Sequence, residues 1–349
     1  MFKVPEVAQN RLPDLLKLMP KAELHIHIEG SLEPELIFRL AKRNNVAIAF
    51  KSIEELRSAY AFTNLQTFLD IYYAGASVLI HEQDFYEMAW EYFLKASSDN
   101  VVHAEIFFDP QTHTSRGIPM KTIIEGLARA CRDAAEKLQI SSALILCFLR
   151  HLSEQEAFET LEQALPFKDH FIGVGLDSSE LGHPPEKFAA VFAKCRDLGL
   201  HLVAHAGEEG PIEYIWSALK TLGVERIDHG VQSSKDPDLI KYLSSKRIPL
   251  TVCPLSNVKL KVFAHLSEHN IGQMLEKGLC VTINSDDPAY FGGYINQNFI
   301  ETFEALKLDA HHAYSLAHNS FEASFASAVQ KEEWYRELGQ CFKRFTGKE

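Results

Sequence analysis

The chain has few features that would place it in a membrane or in an oxidising compartment. Its six cysteines are scattered over 349 residues and none forms a C-x-x-C motif, so we expect reduced thiols rather than disulfides or a cysteine-bound metal. The longest apolar stretch, 143–149, is far shorter than the roughly 20 residues of a membrane-spanning helix. Residues 1–20 lack the apolar segment of a secretory signal. These absences predict a cytoplasmic protein with no membrane partner.

A basic surface is also missing. The formal net charge is −12, and no block of lysine or arginine occurs anywhere in the chain. A protein that binds nucleic acid must neutralise phosphates with clustered basic side chains, so the composition argues against a nucleic-acid partner. It favours a small neutral or cationic ligand and indicates no particular oligomeric state.

Apolar runs suited to strands alternate along the chain with longer stretches of helical spacing. The predicted strands are 22–28, 101–108, 142–149, 171–176, 200–206, 226–231, 249–253 and 279–283. Each run is almost continuously apolar, as expected of strands that are buried on both faces of a parallel sheet. Eight such strands, separated by helical sequence, predict an α/β fold of the TIM-type (β/α)8 barrel.

The predicted barrel accounts for the whole chain as one domain, 1–349. A doubly wound open sheet is the alternative, but it would leave an edge among similar strands, and the chain has no G-x-G-x-x-G turn. The segment 34–100 is longer than a single crossover and is predicted to be a helical insertion, in which 64–73 could form a lid over the barrel mouth. After residue 300 the spacing is helical to near the end.

Histidines and carboxylates occur in these strands mostly at the C-terminal ends, where TIM barrels gather catalytic groups. His25 and His27 have the i, i+2 spacing that points both imidazoles to one side of a strand, as two zinc ligands require. A chance H-x-H is an open alternative in a chain with 16 histidines. His205 lies at the end of the fifth predicted strand, and Asp286 comes shortly after the eighth. Three histidines and an aspartate with one open position are typical of a catalytic zinc site.

Three further residues at these strand ends are candidates for proton transfer and binding. Glu208 follows His205 across a glycine, and its alternative role is an acidic first turn of a helix. His229 lies in the sixth predicted strand, where it could equally be a buried core histidine. Asp287 is adjacent to Asp286, and a helix cap would explain one of these two aspartates.

Four motifs carry a resemblance to the adenosine/adenine deaminase family. They are His25-Ile26-His27-Ile28-Glu29-Gly30-Ser31, His205-Ala206-Gly207-Glu208, Asp228-His229-Gly230 and Ser285-Asp286-Asp287-Pro288. Their order and spacing are similar to those of the family from about residue 21 to residue 328. The resemblance implies a metal-dependent barrel hydrolase that removes the amino group of a 6-aminopurine.

The resemblance also implies a role for each candidate residue. The ligands of one Zn2+ per chain would be His25, His27, His205 and Asp286, with iron or manganese as alternative metals. Glu208 would donate a proton to the purine, His229 would lie beside the attacking water, and Asp287 would hold the ring. The fourth predicted strand, 171–176, has no lysine of the kind that bridges two metals in similar barrel hydrolases, so a single metal is expected.

The stretch after the fourth strand bears on the substrate. Adenosine deaminases typically carry a glycine shortly after the aspartate that ends this strand, whereas this chain reads Asp177-Ser178-Ser179-Glu180. Together with Glu29 in place of the usual aspartate, this stretch is similar to the adenine deaminase branch. The expected reaction converts adenine to hypoxanthine and ammonia. Glu180, and after it Ser179, are the predicted acceptors for the N–H that free adenine carries where adenosine carries ribose.

Other functions stay open at this point. Adenosine, an N6-substituted adenine or its nucleotide are alternative substrates, and the nucleotide is disfavoured because the strand ends present few basic side chains. A catalytically silent purine-binding relative is a second class, and a metal hydrolase of esters or cyclic amides is a third. Only a deaminase would release ammonia from a purine.

Overall fold

The computed structural model describes residues 2–62 and 65–347 of the chain. Within them, eight strands form one sheet: β1 Lys21–His27, β2 Val101–Phe108, β3 Ser141–Leu149, β4 Gly173–Asp177, β5 His201–Ala206, β6 Arg226–His229, β7 Pro249–Val252 and β8 Cys280–Ile283. Neighbouring strands are parallel, and their order in the sheet follows the sequence. The predicted strands are therefore confirmed, with ends that differ by at most two residues.

The first and last strands close the sheet into a barrel. The backbone N–H of His27 donates to the carbonyl of Asp286 at 3.0 Å, and the N–H of Asp286 donates to the carbonyl of His25 at 3.0 Å. The side chain of Asn284 adds a hydrogen bond, because its Oδ1 accepts the N–H of Leu24 at 2.9 Å. The open-sheet alternative is wrong, since these bonds join the two strands that would form its edges.

Helices connect the strands and surround the barrel. They are α1 Leu12–Leu18, α2 Pro34–Asn44, α3 Ile53–Ser58, α4 Leu65–Ala76, α5 Glu82–Ser98, α6 Pro110–Thr114, α7 Met120–Lys137, α8 Glu154–Ala164, α9 Ala189–Asp197, α10 Ile212–Ser217, α11 Pro237–Lys246, α12 Pro254–Lys259, α13 Ile271–Glu276, α14 Pro288–Phe291, α15 Ile295–Leu306, α16 Ala310–Ala323 and α17 Ala328–Thr346. Several begin at a side-chain cap: the Ser153 hydroxyl accepts the N–H of Glu156 at 3.2 Å at the start of α8. Among the described residues, no helix is both long and apolar enough to cross a membrane.

A helix from the long segment between β1 and β2 covers the mouth of the barrel. This segment holds α2 to α5, and α4 brings Phe68 and Tyr72 to the central pocket. Phe68 packs against Tyr290 and Phe291 after β8, with ring centroids 5.5 and 4.6 Å apart. Asn64, the first residue of the predicted lid, lies outside the described residues. The aromatic contacts hold α4 against the loop that follows the last strand.

Candidate active site

Four side chains at the carboxyl ends of three strands bring their ligand atoms together. His25 and His27 lie at the end of β1, His205 lies near the end of β5, and Asp286 follows β8. Asp286 Oδ1 lies 3.1 Å from His25 Nε2 and 3.5 Å from His27 Nε2. His27 Nε2 in turn lies 3.1 Å from His205 Nε2. The four candidate ligands, all buried, are therefore neighbours in space.

Three of the distances between these ligand atoms are close to those around a tetrahedral zinc ion. Zinc–nitrogen distances of about 2.0–2.1 Å place neighbouring ligand atoms roughly 3.3 Å apart. His25 Nδ1 lies 3.2 Å from the carbonyl oxygen of Thr251, which can only accept, so Nδ1 carries a proton and Nε2 is left to bind a cation. This nitrogen faces the carboxylate of Asp286. Burial disfavours a charged imidazole, but Asp286 outweighs it and raises the pKa of His25, so the site calls for positive charge.

The second ring nitrogen of the other two histidines faces a carboxylate. His27 Nδ1 lies 3.5 Å from Asp177 Oδ2, and His205 Nδ1 lies 3.6 Å from Asp228 Oδ2. Metal-binding histidines usually direct this nitrogen at a carboxylate or a carbonyl, which fixes the tautomer and aims the other nitrogen at the metal. All three histidines follow this pattern.

The backbone at these strand ends is strained. Asp286 and His229 have φ values of 65° and 63°, in the left-handed region that residues other than glycine rarely adopt. Gly207 has φ 70°, and a Cβ at this position would lie 2.3 Å from Ile215 Cδ1, so only glycine fits between His205 and Glu208. Strain of this kind persists where the surrounding structure holds it, and it is concentrated at functional sites.

A chain of hydrogen bonds fixes the tautomer of His229. The N–H of Ile271 donates to His269 Nδ1 at 3.2 Å, so His269 Nε2 carries the proton and donates to Asn257 Oδ1 at 3.2 Å. The Asn257 amide nitrogen then donates to His229 Nδ1 at 3.4 Å. His229 therefore carries its proton on Nε2, which lies 3.6 Å from Glu208 Oε2. Burial lowers the pKa of His229 to about 3, which keeps this imidazole neutral.

His229 also lies among the candidate ligands. It belongs to a set with His25, His205 and Asp286 whose ligand atoms all lie within 4.8 Å of one another, a set that does not contain His27, so distance alone would allow it to bind a metal. The proton that the hydrogen-bond chain places on Nε2 disfavours that role. Asn257 and His269, which set this tautomer, were not predicted from the sequence. Their residue types and spacing match no motif, and only the fold brings them to His229.

Glu208 and Asp287 are buried beside other carboxyl groups. Burial, and after it the charge of Asp286, raises the pKa of both groups well above ordinary values. For Asp286 burial acts in the same direction, but His25 and the other histidines outweigh it and lower the pKa well below the ordinary value. The raised pKa favours the protonated form of Glu208 and Asp287, whereas the lowered pKa of Asp286 favours the carboxylate form, which can bind a cation. A Cβ at Gly30 would lie 1.9 Å from Asp287 Oδ1, so this glycine makes room for the aspartate.

These groups face one pocket between the strand ends and α4. Its apolar wall consists of Phe68, Leu69, Leu260 and Phe291, and its polar wall includes His27, His205, Glu208, His229, Asp286 and Asp287. Two further acids of the polar wall, Asp109 after β2 and Asp177 at the end of β4, were not assigned a role from the sequence. Each follows or ends a predicted strand, which is the signal that could have identified them. A flat ring with polar edges fits such a pocket.

Glu180 and Ser179 do not line this pocket. The carboxylate of Glu180 accepts the backbone N–H groups of Gly207, Glu208, Glu209 and Gly210 at 2.6, 3.1, 3.1 and 2.7 Å. Both oxygens are thus occupied by the loop that carries Glu208, and the predicted contact between Glu180 and the substrate is corrected on this ground. Ser178, rather than Ser179, is the serine of this turn that reaches the pocket.

Comparison with known proteins gives close relatives over nearly the whole chain. The family model described as Adenosine deaminase matches residues 20–340. An adenine deaminase of Trichlorobacter lovleyi is 66% identical over 344 residues, which cover 98% of this chain and 99% of that protein. One of Albidiferax ferrireducens is 63% identical over 342 residues, with 98% and 99% covered. The crystal structure of an adenine deaminase from Arthrobacter aurescens has a TM-score of 0.92 and 47% identity, and the match covers 93% of this chain and 99% of that one.

Proposed function

The chain belongs to the adenosine deaminase family, in its adenine deaminase branch, and from this membership we propose that its pocket hydrolyses adenine to hypoxanthine and ammonia. The observation that carries the proposal is the convergence of His25, His27, His205 and Asp286 beside Glu208. A metal site and a buried proton donor in one pocket are what the hydrolysis of a C–N bond on an aromatic ring requires.

The four ligand groups would hold one zinc ion per chain. Imidazole-rich sites suit zinc, although iron and manganese bind similar sets. When bound, the ion acidifies water, whose pKa falls from 15.7 toward about 7, so that a nucleophile is available at neutral pH. Proton transfer, binding of the ring and orientation of the attacking oxygen are left to side chains of the protein.

Glu208 supplies the proton that makes the ring accept a nucleophile. Addition of water to C6 disrupts the aromatic ring, and the addition becomes easier when N1 is protonated. Burial favours the protonated form of Glu208, so this carboxyl group is suited to donate to N1 as the oxygen approaches C6. Burial raises the pKa of Asp287 in the same way, and its carboxyl group would donate a hydrogen bond to N7 and hold the opposite side of the ring.

His229 orients the attacking oxygen. Its Nε2–H points toward the space between Glu208 and Asp286, whose nearest oxygens are 3.6 and 3.8 Å away. The hydrogen bond from Asn257 keeps the proton on this nitrogen. Once the C6–oxygen bond has formed, the amino nitrogen takes the proton of the new C6 hydroxyl and leaves as ammonia. The 6-oxo purine keeps on N1 the proton that Glu208 gave, and the other proton of the attacking water restores Glu208.

The charge of the pocket favours a free base over a nucleotide. Among the residues that line it in the described part of the chain, none is a lysine or an arginine, whereas Asp109, Asp177 and Asp287 are acidic. A phosphate group would meet carboxyl groups without a compensating cation. We place the reaction in purine salvage or catabolism in the cytoplasm, a reducing compartment that suits six free cysteines.

Ammonia release tests the proposal directly. Purified protein is incubated with adenine, adenosine, N6-methyladenine and AMP, and the released amine (methylamine from N6-methyladenine, ammonia from the other three) and the 6-oxo product are measured for each. We expect adenine to be the best substrate. Release from adenosine or N6-methyladenine at a comparable rate would contradict the specificity, and no release from any of the four would indicate a purine-binding relative or a different hydrolase.

A further inference from the structure

Asp109 is a buried acid in the wall of the pocket. It follows β2 directly, is 3% exposed, and lines the pocket described above. Its Oδ2 accepts the hydroxyl of Tyr72 from α4 at 3.2 Å, while no N–H or hydroxyl group of the described residues donates to Oδ1. The neighbouring acid is Asp177, whose carboxyl group interacts with that of Asp109. Leaving a buried acceptor unpaired is unfavourable, so the arrangement is suited to a ligand that brings a donor.

Two hydrogen bonds hold Asp109 in position, one to its backbone and one to its side chain. Glu29 Oε1 accepts the backbone N–H of Asp109 at 3.2 Å and also contacts His113 Nε2 at 2.9 Å. The hydroxyl of Tyr72 holds one oxygen of the carboxyl group. Glu29 is thus engaged with the end of β2 and does not line the pocket. Asp109 is held in place before any ligand binds.

The strand order of the barrel indicates which edge of adenine meets Asp109. In the proposed mechanism N1 faces Glu208 after β5, N7 faces Asp287 after β8, and C6 faces His229 at the end of β6. The rest of the ring perimeter, from N1 through N3 and N9 to N7, then faces the arc from β4 to β1. Asp177 ends β4 and Asp109 follows β2, so N3 lies on the side of Asp177 and N9 on the side of Asp109.

We propose that the free oxygen of Asp109 accepts the N9–H of adenine and thereby selects the free base against 6-aminopurines substituted at N9. This assignment rests on the proposed function and names the residue that recognises the N9–H of the substrate. A 9-substituent would place carbon against a buried carboxylate and leave that oxygen without a donor. Sites built to bond an N–H of the substrate reject analogues that lack it by far more than shape alone achieves.

Two other roles for this acid are distinguishable by experiment. Asp109, Asp177 and His27 present atoms within 4.8 Å of one another, so a second cation is one competing occupant. It is disfavoured because His27 Nε2 already faces the first metal site and its Nδ1 faces Asp177. Asp177 itself is the other candidate reader, but its contact with His27 assigns it to orienting that ligand.

The test compares adenine with 9-methyladenine, which differs only by a methyl group in place of the N9 hydrogen. The kcat/KM of each is measured for the wild-type protein and for Asp109→Ala, Asp109→Asn and the matched control Asp177→Asn, together with metal content. We expect the wild-type preference for adenine to exceed about 10³-fold. Asp109→Ala should reduce the preference at least tenfold, because the acceptor of the N9–H is removed. Asp109→Asn, which keeps an acceptor oxygen, should fall between.

The outcomes separate the inference from the proposed function. If the wild-type protein releases no ammonia from adenine, the proposed function fails and the inference with it. If adenine is a substrate but the preference survives in both Asp109 variants, the inference alone is overturned. A loss of preference in Asp177→Asn only would transfer the role to Asp177, and a drop from two metals to one in Asp109→Ala would identify a second cation site.

A further variant covers the case in which Asp109→Ala fails to fold. Tyr72→Phe removes the hydroxyl that holds Asp109 and keeps the carboxyl group, so it should weaken the preference for adenine.

Discussion

The two ends of the barrel both bury charged side chains, but they treat them differently. In the half of the barrel away from the pocket, which we call the lower half, Glu105 of β2 is paired with the guanidinium of Arg226 and lies 3.2 Å from His103 Nε2. Burial opposes its ionisation, yet Arg226 and His103 outweigh burial and lower the pKa of Glu105 to about 2. At the mouth, Glu208 has no cationic partner at all among the described residues, and burial raises its pKa.

The difference shows where the chain gives up stability for chemistry. A glutamate with a partner stabilises the barrel and cannot take part in proton transfer near neutral pH. A glutamate that is buried beside other acids costs free energy of folding and holds a proton that it can deliver. The lower half therefore accounts for the fold and the mouth for the reaction, and a substitution at each end separates the two.

Glu208→Gln is expected to have the largest effect. The amide cannot protonate N1 as a carboxyl group does, so kcat should fall by about 10²–10⁴-fold while metal content and the melting temperature stay close to those of the wild type. Steady-state kinetics with adenine and elemental analysis measure both. In the wild type, activity should also decline as pH rises through the raised pKa of Glu208, because the proton is lost. Near-normal turnover of the variant would remove Glu208 from this role.

Glu105→Gln should have the opposite profile. The variant leaves Arg226 buried without its partner, which typically costs about 3–5 kcal/mol of folding free energy, while the activity of the folded fraction is retained. Chemical denaturation measures the loss. Glu35→Gln is the matched control, since Glu35 and its partner Arg57 are about half exposed and such pairs contribute roughly 0–1 kcal/mol.

The stabilisation from Glu105 should also depend on pH. Its folded pKa of about 2 lies below the ordinary value of 4.5, so the contribution is present above pH 4.5 and is lost as pH falls toward 2. Wild-type and Glu105→Gln proteins should therefore converge in stability at the acid end. A difference in stability that is constant from pH 6 to pH 2 would contradict the pairing.

Asn257→Leu is expected to reduce activity less than Glu208→Gln does. Removing the donor to His229 Nδ1 frees this imidazole to change tautomer, and lost partners of this kind typically cost about 10–100-fold in activity. The nitrogen NMR signals of His229 report the tautomer directly. If the proton stays on Nε2 in the variant, the hydrogen-bond chain does not set it.

The pattern of residues predicted the barrel well because burial on both faces leaves a strong signal. The strands are continuous apolar runs, and the helices between them show regular spacing. The approach of the candidate metal ligands to one another could be predicted because strand ends converge in a barrel, whatever the distance between them in the chain. His25 and Asp286 illustrate this, since closure of β1 against β8 makes them neighbours.

The direction of a side chain after a strand could not be read in the same way. Ser178 has φ 73°, and the turn that it begins directs Glu180 to the loop that carries Glu208 instead of into the pocket. Asp109 and Asn257 went unassigned because each is held in position by a partner, Tyr72 or His269, that only tertiary packing supplies.

A zinc titration of metal-depleted protein tests the central claim most directly. The protein is stripped with a chelator, zinc is restored in steps, and hypoxanthine formation from adenine is followed at each step. The account predicts that activity is absent without metal, rises in proportion to zinc, and reaches its plateau at one zinc per chain. A plateau at two equivalents, or activity that does not depend on the metal, would contradict it.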